Sequence, residues 1–282
     1  MSAWSKLAIV AGGGDLPVLL ARHCARTGQA YYVSRVAPFA GADLEFHPGA
    51  SFGVGEIGAR KAALIEAGCD AVVLAGVVRR PDFTTLVLDE EGRVLAPKLV
   101  AAARLGDDAL LRAVGADFEM AGLRLVGAHE VAPHLLAPAG LIGTCAPDAT
   151  ARADIAKAAA VAAAIGEWDI GQAVAVCDGL VLAVEAQEGT DALIARIAAL
   201  PEALRGSAAR RRGVLLKRPK PIQERRIDLP TIGLATIEAA AAAGLAGVAV
   251  EAGGALILDK VGLAARADAL GLFLIGFDPA AP

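Results

Sequence analysis

The sequence predicts an α/β chain with a Rossmann-like N-terminal domain and a second, mixed α/β domain, and three observations predict it. Apolar, strand-like runs ("LAIVAG", "AYYVSRV", "AVVLAG") alternate with helical ones ("LPVLLARHCARTG", "IGARKAALIEAGC"), the rhythm of a parallel sheet covered by helices. After a strand read over "LRLVGAHEV", the stretch "APHLLAPAGLIGTCAPDAT" is rich in proline and glycine and has no period. Beyond it, "AVAVCDGLVLAVEA" sets two β-rich runs around Asp178-Gly179, a hairpin signal that brings in antiparallel pairing. The expected organisation is a first domain over residues 1–133, a linker over 134–147 and a C-terminal α/β domain over 148–282.

Taken in order, the first strand runs into Gly12, Gly13 and Gly14, and the first helix follows, with Asp15 as the expected N-cap and Pro17 in the first turn, where a missing N–H costs little. The second domain opens with the alanine-rich helix "ATARADIAKAAAVAAAIG", then the hairpin, a helix from about Thr190 and the strand "GVLLKR". A proline-containing loop, "PKPIQERRIDLPTIG", leads to the helix "LATIEAAAAAG". The strand "GVAVEAG" with "ALILD" as hairpin partner, one more helix and the strand "LFLIGF" complete the chain.

Composition narrows the functional classes. With 282 residues, 56% hydrophobic and only 4% aromatic, the chain builds its cores from small aliphatic side chains. Mean hydropathy is +0.54, but the richest stretches are short and mostly alanine, below the roughly 20 residues that a bilayer span requires. The N-terminus reads as a core strand and not as a cleaved signal, so a cytoplasmic location is expected. A net charge of −4 gives no reason to expect nucleic acid as a partner. Cys24, Cys69, Cys145 and Cys177 are far apart with no C-x-x-C, which fits reduced thiols. The histidines form no metal-binding pattern, and His129 in "GAHE" reads as structural.

The glycine turn invites comparison with nucleotide-binding loops. A G-x-G-x-x-G fingerprint fails at Pro17, and the second strand ends in Ser34 and Arg35 without the acid that would hold a ribose. No Gly-Lys-Ser/Thr follows, so it is not a phosphate-binding P-loop either. Gly12, Gly13, Gly14 and Asp15 remain candidates for anion binding through backbone N–H groups at a helix start, against the alternative of a tight turn that binds nothing.

Two stretches of the second half carry further candidates. In "VEAQEGTD", Glu185, Gln187, Gly189, Thr190 and Asp191 stand where a strand gives way to a helix, either as a polar rim or as a solvated turn with Thr190 or Asp191 as cap. In "KRPKPIQERRIDLP", Lys217, Arg218, Lys220, Arg225 and Arg226 surround Gln223 and Asp228, and five cations suit a pyrophosphate. The plainer alternative for Asp228 is an exposed salt bridge to Arg226.

In order along the chain, "IVAGGGDLP", "LAGVVRRPDF", "RLGDDALLR", "GAHEV", "WDIGQAVAV", "LAVEAQEGTD", "KPIQ" and "DLPTIG" resemble the LpxI family, UDP-2,3-diacylglucosamine pyrophosphatases of lipid A biosynthesis. The resemblance implies hydrolysis of UDP-2,3-diacylglucosamine to 2,3-diacylglucosamine 1-phosphate (lipid X) and UMP, with a divalent metal, Mg2+, and substrate bound between two domains. It places the family's essential acid, within Q-x-x-R-x-D-x-P, on Asp228, with Gln223 and Arg226 matching; Glu224 stands where many members carry Asp. Asp228 is then a metal ligand or the base that orients water, Asp191 and Glu185 are lesser metal candidates, and Lys217, Gln223, Arg226, Gln172, Gln187, Gly189 and Thr190 contact substrate. Gly76 and Lys98 join the glycine turn from the first domain. The competing classes are a nicotinamide-dependent oxidoreductase and a non-catalytic lipid or nucleotide carrier. Peripheral contact with the cytoplasmic face of the inner membrane and a homodimer complete the expected partners.

Overall fold

The computed structural model describes residues 4–79, 82 and 85–280, and it divides into two compact units. Arg80, Pro81 and Phe83 of the "LAGVVRRPDF" motif lie outside the described residues. The first unit comprises the chain up to Pro133 together with Glu224–Asp228. Its five strands are β1 (Leu7–Ala11), β2 (Tyr31–Ala37), β3 (Gly49–Gly53), β4 (Ala71–Ala75) and β5 (Arg124–Leu125), all parallel in the order β3-β2-β1-β4-β5. Winding reverses between β1 and β4, so right-handed crossovers send α1 (Asp15–Thr27) and α2 (Ile57–Glu66) to opposite faces. β1 and β4 are apolar along nearly their whole length because both of their faces are covered.

Between β4 and β5 the chain forms α3 (Glu90–Ala103) and α4 (Asp107–Met120), which the sequence pattern did not disclose; Pro97 inside α3 obscures its helical signal. Asp89 caps α3 by accepting from the Gly92 N–H at 2.7 Å. Buried Lys61 on α2 pairs with Asp117 of α4 at 2.9 Å and with Glu91 of α3, fixing the three helices together. After β5 comes a short helix, α5 (Ala128–Val131), where a continuous strand was expected.

The second unit holds His134–Gln223 and Leu229–Pro282. Its elements are β6 (Gly140–Leu141), α6 (Ala149–Glu167), β7 (Ala173–Cys177), β8 (Leu180–Val184), α7 (Gly189–Ala198), α8 (Glu202–Arg205), β9 (Val214–Lys217), β10 (Thr231–Ile232), α9 (Leu234–Ala242), β11 (Gly247–Glu251), β12 (Leu256–Ile257), α10 (Lys260–Ala269) and β13 (Phe273–Phe277). The main sheet runs β6-β13-β11-β9-β7-β8, with β13, β11 and β9 parallel and the others antiparallel to their neighbours. α6 lays Ile155, Ala158, Ala159 and Ala162 on Val174, Val176, Leu216 and Phe273, while α7, α9 and α10 cover the other face. The expected hairpin forms: Asp178 and Gly179 have φ of 49° and 78°, and buried Asp154 accepts both of their N–H groups at 2.9 and 2.7 Å.

Three local expectations are corrected. The stretch 134–147 is not a free connector, because β6 pairs with β13 and Leu136 bridges to Leu256 within the second unit. "ALILD" does not pair back on "GVAVE": β11 already has β9 and β13 on its two sides, and β12 pairs in parallel with β10. The N-cap of α1 is Gly14, with Asp15 the first helical residue, where its carboxylate still favours the helix N-terminus.

The five-residue return into the first unit is held by packing and by charge. Ile227 is buried in a cluster with Val72 of β4, Phe118 of α4, Leu123 and Leu125, and approaches Gly115 closely enough that a Cβ there would lie 3.2 Å from its Cδ1. The Glu224 N–H donates to Asp108 at 3.0 Å, and Arg226 donates to Glu119 at 3.1 Å and to both oxygens of Glu224. The Arg226 guanidinium holds the Glu224 carboxyl below its usual pKa. A carboxyl lowered in this way stabilises the fold above its unfolded pKa and loses that contribution as pH falls through the lowered value. Ile227→Ala is expected to destabilise the first unit by roughly 2–5 kcal/mol and Ile227→Val by only about 0.5–1.5 kcal/mol, measured by urea denaturation; equal, negligible effects would show that the side chain is not part of that core.

Candidate active site

The glycine turn and Gly76 stand at the carboxyl ends of β1 and β4, the position where winding reverses and open α/β sheets take ligands. Their backbone groups, however, are largely spent on each other. Gly12 N–H donates to Ala75 at 2.8 Å, and Gly13 and Val77 exchange two hydrogen bonds of 2.8 and 2.9 Å. A Cβ on Gly12 would meet the Val77 carbonyl at 2.7 Å, and one on Gly76, whose φ is +84°, would meet Pro17 Cγ at 2.7 Å. The glycines are therefore demanded by close approach of two turns, and Pro17 packs where a dinucleotide fingerprint has its third glycine. The expectation that Gly12 and Gly13 offer free N–H groups to an anion is corrected; Gly14 and Asp15, exposed at the start of α1, keep that possibility. Lys98 is exposed on α3.

Asp228 is half-buried and closes the return segment, its N–H donating to the Glu224 carbonyl at 3.2 Å. The alternative in which Asp228 is simply the partner of Arg226 is not what forms, because that guanidinium is taken by Glu224 and Glu119. Arg226 thereby acts as a clamp on the segment, and Glu224 has a defined structural task. The segment also presses on α5: a Cβ at Gly127 would lie 3.2 Å from Arg226 Cα and closer still to the His129 ring. His129 Nδ1 is buried with no hydrogen-bond partner among the described residues.

In the second unit, strand register gathers most of the other expected residues along one edge of the sheet. Ala173 of β7 is opposite Lys217 of β9, Lys217 is opposite Val250 of β11, and Val174 is opposite Val184 of β8. Gln172, Glu185, Lys217, Arg218 and Glu251 consequently share that edge. The Gln172 carbonyl accepts from Arg218 N–H at 3.0 Å, while its buried Oε1 has no partner among the described residues. Lys217 is buried and donates to the Thr231 carbonyl at 3.1 Å. Gln223 is also buried, accepting from Lys220 N–H at 2.9 Å. Gln187 is exposed in the turn before α7, and Gly189 opens that helix.

Glu251 was not singled out by sequence, although a lone acid ending the run "GVAVE" is a legible signal. It is buried and pairs with Arg218 at 3.0 Å, and Arg218 in turn donates to the Ala159 carbonyl. A buried pair of this kind fixes Arg218 more than it contributes net stability.

The acids expected to hold metal divide into two kinds. Glu185 is buried, accepting from Thr190 Oγ1 at 2.6 Å and from Gln172 N–H at 3.0 Å, so it ties the end of β8 to the start of α7. Each Glu185 oxygen thus accepts one hydrogen bond, and Thr190 is its partner instead of a helix cap. Asp191 is exposed in the first turn of α7. Among the described residues no three His, Cys, Asp or Glu side chains come together as a metal cage. Mg2+ needs no such cage, since one or two carboxylates with substrate phosphates suffice, and half-buried Asp228 fits that lighter requirement.

Comparison with known proteins covers both halves of the chain. The model of the LpxI N-terminal domain matches residues 6–135, and that of the LpxI C-terminal domain matches residues 138–275. The UDP-2,3-diacylglucosamine pyrophosphatase LpxI of Caulobacter vibrioides is 55% identical over 274 residues, which cover 97% of this chain and 98% of that protein. With both domain models matched in order and identity extending over nearly all of each chain, the protein belongs to the LpxI family.

Proposed function

We propose that the protein hydrolyses the pyrophosphate bond of UDP-2,3-diacylglucosamine, giving UMP and 2,3-diacylglucosamine 1-phosphate (lipid X) for lipid A biosynthesis. The observation that carries this reading is the near full-length identity to a pyrophosphatase named for that substrate. Water adds to one phosphorus, the bridging P–O bond breaks, and the bridging oxygen leaves with the other phosphate. The chain's part is to hold the pyrophosphate, stabilise its charge and set the water.

Asp228 is the residue we assign to the reacting water, as the group that orients it and takes its proton or as the protein ligand of a divalent ion. Its support is the anchored segment: Ile227 on one side and the Glu224–Arg226–Glu119 clamp on the other hold the backbone that carries Asp228. Gln172, Lys217 and Gln223 are assigned to substrate oxygens, and Gly14 with Asp15 to the start of α1. Mg2+, when bound, would neutralise charge on the phosphates, with Asp228 as its protein ligand. The oxidoreductase alternative loses its remaining footing, since Pro17 fills the position of the third glycine and contacts Gly76. Among the described residues no helix is long and apolar enough to cross a membrane. The two acyl chains of the substrate lead us to place the reaction at the cytoplasmic face of the inner membrane.

Asp228→Ala and Asp228→Asn are expected to lower UMP release by about a thousandfold or more while leaving unfolding free energy within about 1 kcal/mol of the parent. Near-normal turnover by either folded variant contradicts the assignment. Chelation by EDTA is expected to stop UMP release and excess Mg2+ to restore it. Full activity after thorough chelation would mean that lysine, arginine and backbone donors neutralise the pyrophosphate without metal.

A further inference from the structure

Trp168 is 80% exposed, which is unusual for the largest apolar side chain in a protein with only two tryptophans. It directly follows α6 and is not alone: Ile170 is 43% exposed and Ile222 is 42% exposed. These three residues come from two segments that are fastened together. Lys220 pairs with Asp169 in the same turn, and a Cβ on Gly166 would meet Pro221 Cδ at 2.9 Å and Lys220 Cα at 3.1 Å. The turn itself is closed by Asp169 N–H to the Gly166 carbonyl and Ile170 N–H to the Ile165 carbonyl, each 3.1 Å. The three exposed apolar residues are thus carried by two segments held to each other, and Gln172 and Gln223 lie one or two residues along the same two segments. Other large exposed apolar residues, such as Phe46 and Val261, are far from these segments in sequence.

We propose that Trp168, Ile170 and Ile222 form the surface by which the protein docks on the interfacial zone of a phospholipid bilayer. The inference rests on the diacyl substrate proposed above. Such a substrate resides in a bilayer, and no described helix can cross one. Indole suits the headgroup level, with an apolar body and a polar N–H. Charge does not drive the contact: in the basic stretch around Ile222, Lys220 is paired with Asp169, Arg218 with Glu251 and Arg226 with Glu224 and Glu119, and Glu167 adjoins Trp168. Docking therefore depends on apolar burial and withstands salt, unlike a basic patch seeking anionic lipid.

The test uses Trp4→Phe, which leaves Trp168 as the only indole, mixed with vesicles of phosphatidylethanolamine and phosphatidylglycerol. The expected result is a blue shift of Trp168 emission and quenching by lipids brominated near the headgroup. In the otherwise unaltered chain, Trp168→Ser is expected to weaken vesicle partitioning by roughly tenfold, at low and high salt alike, with Ile170→Asp acting in the same direction. Emission unaffected by vesicles, binding abolished by salt, or burial of Trp168 through self-association without lipid would each overturn the proposal. UMP release from a water-soluble short-acyl substrate without vesicles separates the two readings. Its absence counts against the hydrolase, whereas its presence with Trp168 still in water counts against docking alone.

Discussion

The anchoring of Ile227 sets the position of everything around it. Fully burying such a side chain is worth roughly 1.5–3 kcal/mol, and the apolar cluster beside α4 and β5 that it joins lies in the first unit. The chain therefore leaves the second unit after Gln223 and re-enters it at Leu229. Asp228 is the last residue of that excursion, so its location follows from an apolar contact one residue away. The ion pairs of Arg226 with Glu224 and Glu119 add little energy as partly exposed contacts, but they restrict the backbone on the segment's other side.

A second constraint acts at the ends of β1 and β4. Two turns meet there so closely that side chains are excluded at Gly12 and Gly76, and their hydrogen bonds close on each other. A loop that looks made for phosphate in the sequence is in part made for packing. What stays open is the start of α1 at Gly14 and Asp15. The same economy appears in the second unit, where Thr190 and Gln172 satisfy Glu185, and Glu251 holds Arg218.

Elements with strong local signals were legible in the sequence. Strands β1, β2 and β4 with helices α1 and α2, the Asp178-Gly179 hairpin and the strands "GVLLKR" and "LFLIGF" all depend on periodicity and turn chemistry within a few residues, whereas β3, the glycine-bounded "GASFG", carries no such signal and was not legible. The misses share a cause of the opposite kind. Helix α3 carries an internal proline, β6 is two residues long, and β12 finds its partner in β10, in a separate two-stranded sheet. Likewise, the residue types around Asp228 pointed to pyrophosphate chemistry, but the task of Glu224 appears only once Arg226 and Asp108 are placed beside it. No local pattern reveals that five residues near position 226 complete a core built over a hundred positions earlier.

The placement of Asp228 depends on residues 224–228 being part of the first unit. Amide hydrogen exchange, read by mass spectrometry across a series of denaturant concentrations on the intact protein, tests this directly, since units that fold together open together. A peptide containing Ile227 and Asp228 is expected to exchange with the same opening free energy and denaturant dependence as α4 and β5. Opening together with β9 and β11, or exchange as fast as a free loop, would contradict it.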